Sequence, residues 1–185
     1  WKSGSDEAAY SSLMAGTLAG VRQVVAFMAD AVLGASLADG RILWRVPVKT
    51  MAKRHAASPV IHGDRVLVNS HTVGLLCFEI RAADGGYTAT PVWENRDLKI
   101  NIATPVVVHE QLYCLGANQD YVCVNLQDGR VRWSEPGFGA GRKDYAATIE
   151  AGSSFSAARI DAVPSARSSA GSPSAIVAAP VRCRA

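Results

Sequence analysis

The stretch IATPVVVHEQLYCLGANQDYVCVNLQDGRVRW, from Ile102 to Trp133, decides the fold. It reads as four short strands in a row. The first is the apolar run ATPVVV at Thr104-Pro105, and the second, QLYCL, closes on Gly116-Ala117-Asn118-Gln119-Asp120. YVCVNL is the third, and Gln127-Asp128-Gly129 turns the chain into RVRW. Short runs rich in Val, Tyr and Leu, broken by Asn, Asp and Gly, describe a four-stranded antiparallel meander. One such sheet cannot bury both faces alone, so its meaning depends on whether it recurs.

It does recur. A Ser or Thr opens an apolar run at Ser12, Ser58, Thr104 and Thr148, at intervals of 46, 46 and 44 residues. Asp-Gly turns stand at Asp39-Gly40, Asp84-Gly85 and Asp128-Gly129, each followed by a tryptophan, Trp44, Trp93 or Trp133. Trp1 fits the end of a preceding unit, so all four tryptophans share one repeat position. Periods in the forties with turn-punctuated strands predict the blades of a β-propeller. A two-sheet sandwich also spaces its strands evenly but would not place every Trp in register.

Read outward from that stretch, SSLMAGTL, RQVVAFMA, AVLGASL and RILWRVPV are the four strands of a first blade. Its Ala-rich composition suits a helix, but Gly16, Gly20 and Gly34 weaken one and the repeat register overrides it. The second blade runs SPVIHG, DRVLVNS, GLLCFEIR and TPVWEN, with a lengthened Ala82–Tyr87 turn before its last strand. A fourth blade begins at Lys143 and loses the pattern after Ile149. The expectation is an all-β chain in two parts: partial propeller over 1–150, and a disordered tail over 151–185. Ten Ala and eight Ser among the 35 tail residues are too little apolar surface to order a chain. Two readings stand for the tail, a natural extension or the product of a frame shift in GC-rich DNA. Three blades and a stub fall short of a closed ring, so the expectation is a fragment with exposed sheet edges.

Apolar residues make up 49% of the 185, ample for a core. The net charge of +3 belongs to the tail, with its four Arg and one Asp, leaving the body neutral. A neutral body argues against an electrostatic nucleic-acid partner. No targeting signal is visible at Trp1. The run Val24 to Ala38 is broken by Asp30 and too short to span a bilayer.

IATPVVV, AASPVI, LADGRILWR and LQDGRVRWSE together resemble the PQQ-like (quinoprotein-like) β-propeller repeat, over roughly Ala8 to Ile149. In that family the Gly-x-x-x-Trp element docks adjacent blades by stacking Trp on a neighbouring peptide. The resemblance implies that role for Gly40 with Trp44 and for Gly129 with Trp133. In the middle blade four extra residues separate Gly85 from Trp93. Ser36 and Asn125 stand where the family carries Asp.

Two functional branches share this repeat. One comprises dehydrogenases in which PQQ lies on a Trp beneath an adjacent-Cys disulfide, with acid and amide ligands to calcium. Here Cys77, Cys114, Cys123 and Cys183 are scattered, and no paired Asp base or calcium set is recognisable. The other branch comprises non-catalytic propellers, including outer-membrane assembly lipoproteins of the BamB type. The expectation is therefore a binding or assembly scaffold, periplasmic or secreted, with no cofactor; a quinoprotein oxidoreductase using PQQ and calcium is the alternative.

Cys114 and Cys123 sit nine residues apart across a hairpin, as a disulfide or as two small buried side chains. No Cys/His spacing resembles a zinc site. One constellation is a candidate for binding. In a propeller, the connection entering each first strand lies at one mouth of the central channel. Glu7, Lys53, Lys99 and Lys143 precede the Ser/Thr marker by five residues, and His55, Asn101 and Tyr145 precede it by three. With Arg54 and Asp144 these form a rim suited to a small anionic or polar ligand or a protein partner, or are solvated loop residues. His71 reads as a turn residue, and no nucleophile with a base and an orienting group can be assembled.

Overall fold

The computed structural model describes residues 1–116, 118, 120–136, 145–151, 154–160 and 179–180. Strand formation follows the repeat. Strands β1 (Met14–Leu18), β2 (Val21–Phe27), β3 (Ala31–Ser36) and β4 (Ile42–Pro47) form one antiparallel sheet in chain order. A second contains β5 (Val60–His62), β6 (Arg65–Ser70), β7 (Gly74–Ala83) and β8 (Gly86–Asn95). The third is β9 (Val106–Val108), β10 (Gln111–Leu115), β11 (Tyr121–Asn125) and β12 (Val131–Glu135). These are three propeller blades, and no helix among the described residues is long and apolar enough to cross a membrane.

The blades share their cores. Phe27, Val32 and Trp44 of the first pack with Val66, Val68 and Phe78 of the second. Leu67 and Cys77 of the second pack with Leu112, Cys114, Val122 and Val124 of the third. Each fully buried Val or Leu contributes about 1.5–3 kcal/mol, so it is the junction between sheets that stabilises each sheet. Successive first strands β1, β5 and β9 lie side by side. Where they begin, the Ser58 amide donates to Thr104 Oγ1 at 3.0 Å, so two of the 46-residue markers bond to each other across a blade boundary.

All three outer strands carry a β-bulge at the residue before the tryptophan. Trp44 pairs with Gly34 while Ile42 pairs with Ala35, leaving Leu43 as the extra residue. Val92 and Arg132 are the extra residues before Trp93 and Trp133, which pair with Cys77 and Cys123. A bulge twists the strand and re-aims the side chain beside it, here the indole.

The loop before the bulge is the same in the first and third blades. Gly40 and Gly129 adopt φ of +75° and +72°, and their amides bond to the carbonyls of Ser36 and Asn125, each at 2.9 Å. In the second blade the loop is absent. The longer insertion does not form the extended turn expected over Ala82–Tyr87; it lengthens both strands into a ten-residue pair closed by Asp84-Gly85. Alternation of apolar and polar residues through 80–82 and 87–90 gives the backbone a ladder to continue along, which costs less than an open loop.

A strand β13 (Tyr145–Ala151) runs beside β9 and pairs with β14 (Ser154–Ile160), which pairs with β15 (Ala179–Pro180). Strands β14 and β15 thus lie within the span 151–185 that composition marks as a disordered tail. Composition measures whether a segment can bury side chains, whereas the open edge of β13 offers backbone hydrogen bonds to any sequence.

A Cβ on Gly129 would overlap the Trp93 ring, whereas a Cβ on Gly85 would meet nothing, and both glycines have positive φ. Backbone strain is therefore common to both Gly→Ala variants. Gly129→Ala is expected to lose at least about 1 kcal/mol more stability than Gly85→Ala in urea denaturation, the lower bound of an overpacking cost. Equal losses would mean that the ring contact contributes nothing.

Candidate binding rim and blade junctions

The rim residues divide sharply. Lys53 adopts a left-handed φ of +50°, which turns its side chain back toward the first blade. Its Nζ lies 2.9 Å from Glu7 and 3.0 Å from Asp30. Hydrogen bonds to those carboxylates, Glu7 foremost, raise its pKa above the usual lysine value. It is a neutralised bridge between two units rather than a free cation. Arg54, Lys99 and Asn101 are exposed, on the connections that enter β5 and β9. Tyr145 opens β13, and Lys143 and Asp144 lie outside the described residues.

His55 is withdrawn from the rim. It is 0% exposed, and its ring stacks on Phe27 with centroids 3.9 Å apart and planes at 16°. The sequence pattern gives its place in the repeat, but periodicity does not say which way a loop side chain turns. His71 is exposed in the turn between β6 and β7. The exposed set can donate charged or amide N–H groups to carboxylates or backbone carbonyls.

The Gly-x-x-x-Trp residues meet across units. Trp1 lies over Gly40 and its Nε1 donates to the Leu37 carbonyl at 3.1 Å. Trp93 lies over Gly129 and its Nε1 donates to the Leu126 carbonyl at 2.9 Å. Both bonds reach the residue three before the glycine. Gly40 and Gly129 thus receive the indole of the preceding unit, not that of their own turn, Trp44 or Trp133. Trp93, on the blade with the irregular spacing, is seated. Gly85 receives no ring, because the long hairpin carries it away from the neighbouring blade.

Trp44, deprived of that seat, turns into its own sheet. It is 4% exposed, and Nε1 donates to Gln23 Oε1 at 2.8 Å while Gln23 Nε2 donates to the Leu18 carbonyl at 2.9 Å. Gly34 makes this possible: a Cβ there would overlap the indole, and the other two blades have Cys at that place. Tyr87 and Ala89 of the long hairpin pack on the same core instead. A groove of about 490 Å³ opens between Val46–Lys49 and Pro91–Arg96. Trp133 is half-buried near Tyr113 and Tyr121.

Sequence reasoning missed a polar clasp between the second and third blades. His62 Nε2 lies 2.8 Å from Glu110 Oε1, and Glu110 Oε2 accepts from Gln127 Nε2 at 2.7 Å. Arg65 donates to Gln127 Oε1 and to the Leu126 carbonyl, the same carbonyl that Trp93 uses. The hydrogen bond to His62 holds the Glu110 carboxyl below its usual range. The signal was a polar pair 48 residues apart, close to the repeat interval, with His62 at the end of β5 and Glu110 in the turn after β9.

The cysteine question has a geometric answer. Cys123 pairs with Tyr113 and Cys114 with Val122, successive positions whose side chains leave opposite faces of the sheet. Both are buried thiols outside any disulfide, as is Cys77. Burial raises the Cys114 thiol far above its ordinary range and pushes Cys77 up to about 12, so these are inert core groups. Cys183 lies outside the described residues.

The family described as outer membrane protein assembly factor BamB matches residues 1–135. This chain belongs to that family. Among solved structures, BamB from Moraxella catarrhalis is similar, with a TM-score of 0.56 at 14% identity over 80% of this chain and 47% of that one. The computationally designed Ika8 protein has a TM-score of 0.54 at 9% identity, over 80% of this chain and 42% of its own. At such identities the likeness concerns the fold alone. No curated protein matches this chain. The chain spans about half the length of the BamB structure it matches, 47%.

Trp44→Phe keeps the aromatic ring and strands Gln23 Oε1 in the core. The expected cost is about 1–3 kcal/mol, the penalty for an unsatisfied buried acceptor. Gln23→Leu also removes the bond to the Leu18 carbonyl, so the double variant should cost less than the sum of the two single variants, measured by urea denaturation of all three.

Proposed function

We propose that this chain is part of a non-catalytic propeller scaffold of the cell envelope, binding a protein partner through the mouth at which its first strands begin. Membership of the BamB family carries the reading. That family's printed description concerns outer membrane protein assembly, and a periplasmic or secreted setting follows from it as part of the proposal. Two features of the chain fit. The exposed rim groups Arg54, Lys99 and Asn101 are donors suited to carboxylates and peptide carbonyls. The pairing of Lys53 with Glu7 and Asp30 removes one cation from the rim, which makes it less suited to a small anion and leaves a mixed polar surface typical of protein contacts.

The alternative, an oxidoreductase holding PQQ and calcium, requires an adjacent-cysteine disulfide over the quinone. Cys77, Cys114 and Cys123 are instead separate buried thiols.

The test places a photo-crosslinking residue at Lys99 on the rim, and a second at Asp84 on the perimeter hairpin, in the chain expressed with its native envelope. Crosslinking to one envelope protein from position 99 and not from 84 is the expected result. Equal labelling from both positions would contradict a rim partner. Binding of PQQ with calcium, together with dye-linked oxidation of alcohols or sugars, would establish the oxidoreductase instead.

A further inference from the structure

We propose that His55 is a pH-sensitive latch, which at neutral pH ties the N-terminal segment to the connection between the first two blades and on acidification lets both go.

Three observations carry this. The ring is fully buried and pressed against Phe27. Nε2 lies 3.2 Å from the Ala29 carbonyl, which can only accept, so Nε2 carries the proton of the neutral imidazole. Nδ1 is then an acceptor, and it has no hydrogen-bond partner. Protonating it would create an N–H with nowhere to donate, and a charge inside an apolar slot.

The groups that favour the charged ring, the Ala29 carbonyl foremost, do not outweigh its burial. From the β2–β3 turn, Asp30 favours the charged form; from the β6–β7 turn, His71 opposes it. On His55's own connection, Lys53 bridges Asp30 and Glu7 and offsets the attraction those carboxylates would exert. Arg54, beside it in sequence, is exposed. Burial is the largest influence, and it lowers the His55 pKa from the ordinary 6.5. The sign follows. Well above pH 6.5 the ring is neutral whether latched or free, and the latch is at full strength. As pH falls through 6.5, the free ring takes a proton that the buried ring refuses, so the latch weakens until the lowered pKa is passed.

The ring is tied to the segments it would release. The His55 carbonyl accepts from the Tyr10 amide at 3.1 Å, and the Ala29 amide donates to the Glu7 carbonyl at 2.9 Å. When the charged ring leaves for water, the Ala29 carbonyl and the Phe27 ring lose their partner, and the backbone movement that carries the ring out draws the His55 carbonyl away from the Tyr10 amide. The Glu7–Lys53 bridge spans the same two segments and would be strained by the same movement. The result is an opened mouth between the first two blades.

The test is NMR on the intact chain between about pH 7.5 and pH 5, spanning the ordinary histidine range. The His55 ring should titrate with a midpoint below 6.5. Exchange of the Tyr10 and Ala29 amides, corrected for intrinsic chemistry, should accelerate about tenfold or more across that interval, while the Asn69 amide of β6 should not. In His55→Phe, which keeps an aromatic ring on Phe27 and cannot take a proton, the acceleration should vanish. A ring midpoint at or above 6.5 in the wild-type chain overturns the proposal, and does so even if the variant fails to fold. So does acceleration that persists in the variant.

Discussion

The structure depends on how an indole ring from one sheet meets a glycine of the next. A four-stranded meander has two apolar faces and cannot bury both, so each blade is stable only against its neighbours. Hydrophobic burial drives the blades together without setting their angle. The Trp–Gly contact adds direction: a flat ring lies over a backbone with no Cβ, and one N–H reaches one carbonyl. Trp1 with Gly40 and Leu37, and Trp93 with Gly129 and Leu126, repeat that geometry. The polar clasp of His62, Glu110, Gln127 and Arg65 then converges on the same Leu126 carbonyl.

The junction between the first and second blades breaks the rule and shows what it consists of. Lengthening the β7–β8 hairpin removes the receiving loop, and a tryptophan without a seat would expose a large apolar ring. Gly34 in place of Cys opens room for it within its own sheet, and Gln23 satisfies its N–H. These changes are consistent only together: Cys at position 34 would collide with the indole, and an apolar residue at 23 would leave a buried donor unpaired. The junction is held instead by Tyr87, Ala89 and the shared core.

Much of the fold was legible in the sequence because its period is carried by residues with strong local preferences. Asp-Gly turns, Ser/Thr markers and tryptophans mark the blades, and the strands of the first three fall where the alternation puts them. The family resemblance rested on the same residues. What could not be read was orientation. Nothing in the one-dimensional pattern distinguishes Trp93, which reaches the next blade, from Trp44, which folds back; that depends on the residues opposite them, Gly34 and Cys77, known only once register and bulge are known. The rim was legible as a set of positions but not as a surface. Lys53 pairs with carboxylates from two other segments and His55 turns inward, choices made by tertiary neighbours distant in sequence. The long hairpin was read as a turn because Gly and Asp suggest one, although alternation through Tyr87–Thr90 also supported a ladder.

The most direct measurement is a pair of double-mutant cycles in urea denaturation, Trp93→Ala with Gly129→Ala and Trp44→Ala with Gly85→Ala. If docking rests on the ring over the glycine, the first pair should couple by about 0.5–3 kcal/mol, the range for residues in contact. The second should be additive within about 0.5 kcal/mol, as for separated sites. Coupling of similar size in both cycles, or in neither, would contradict the docking scheme.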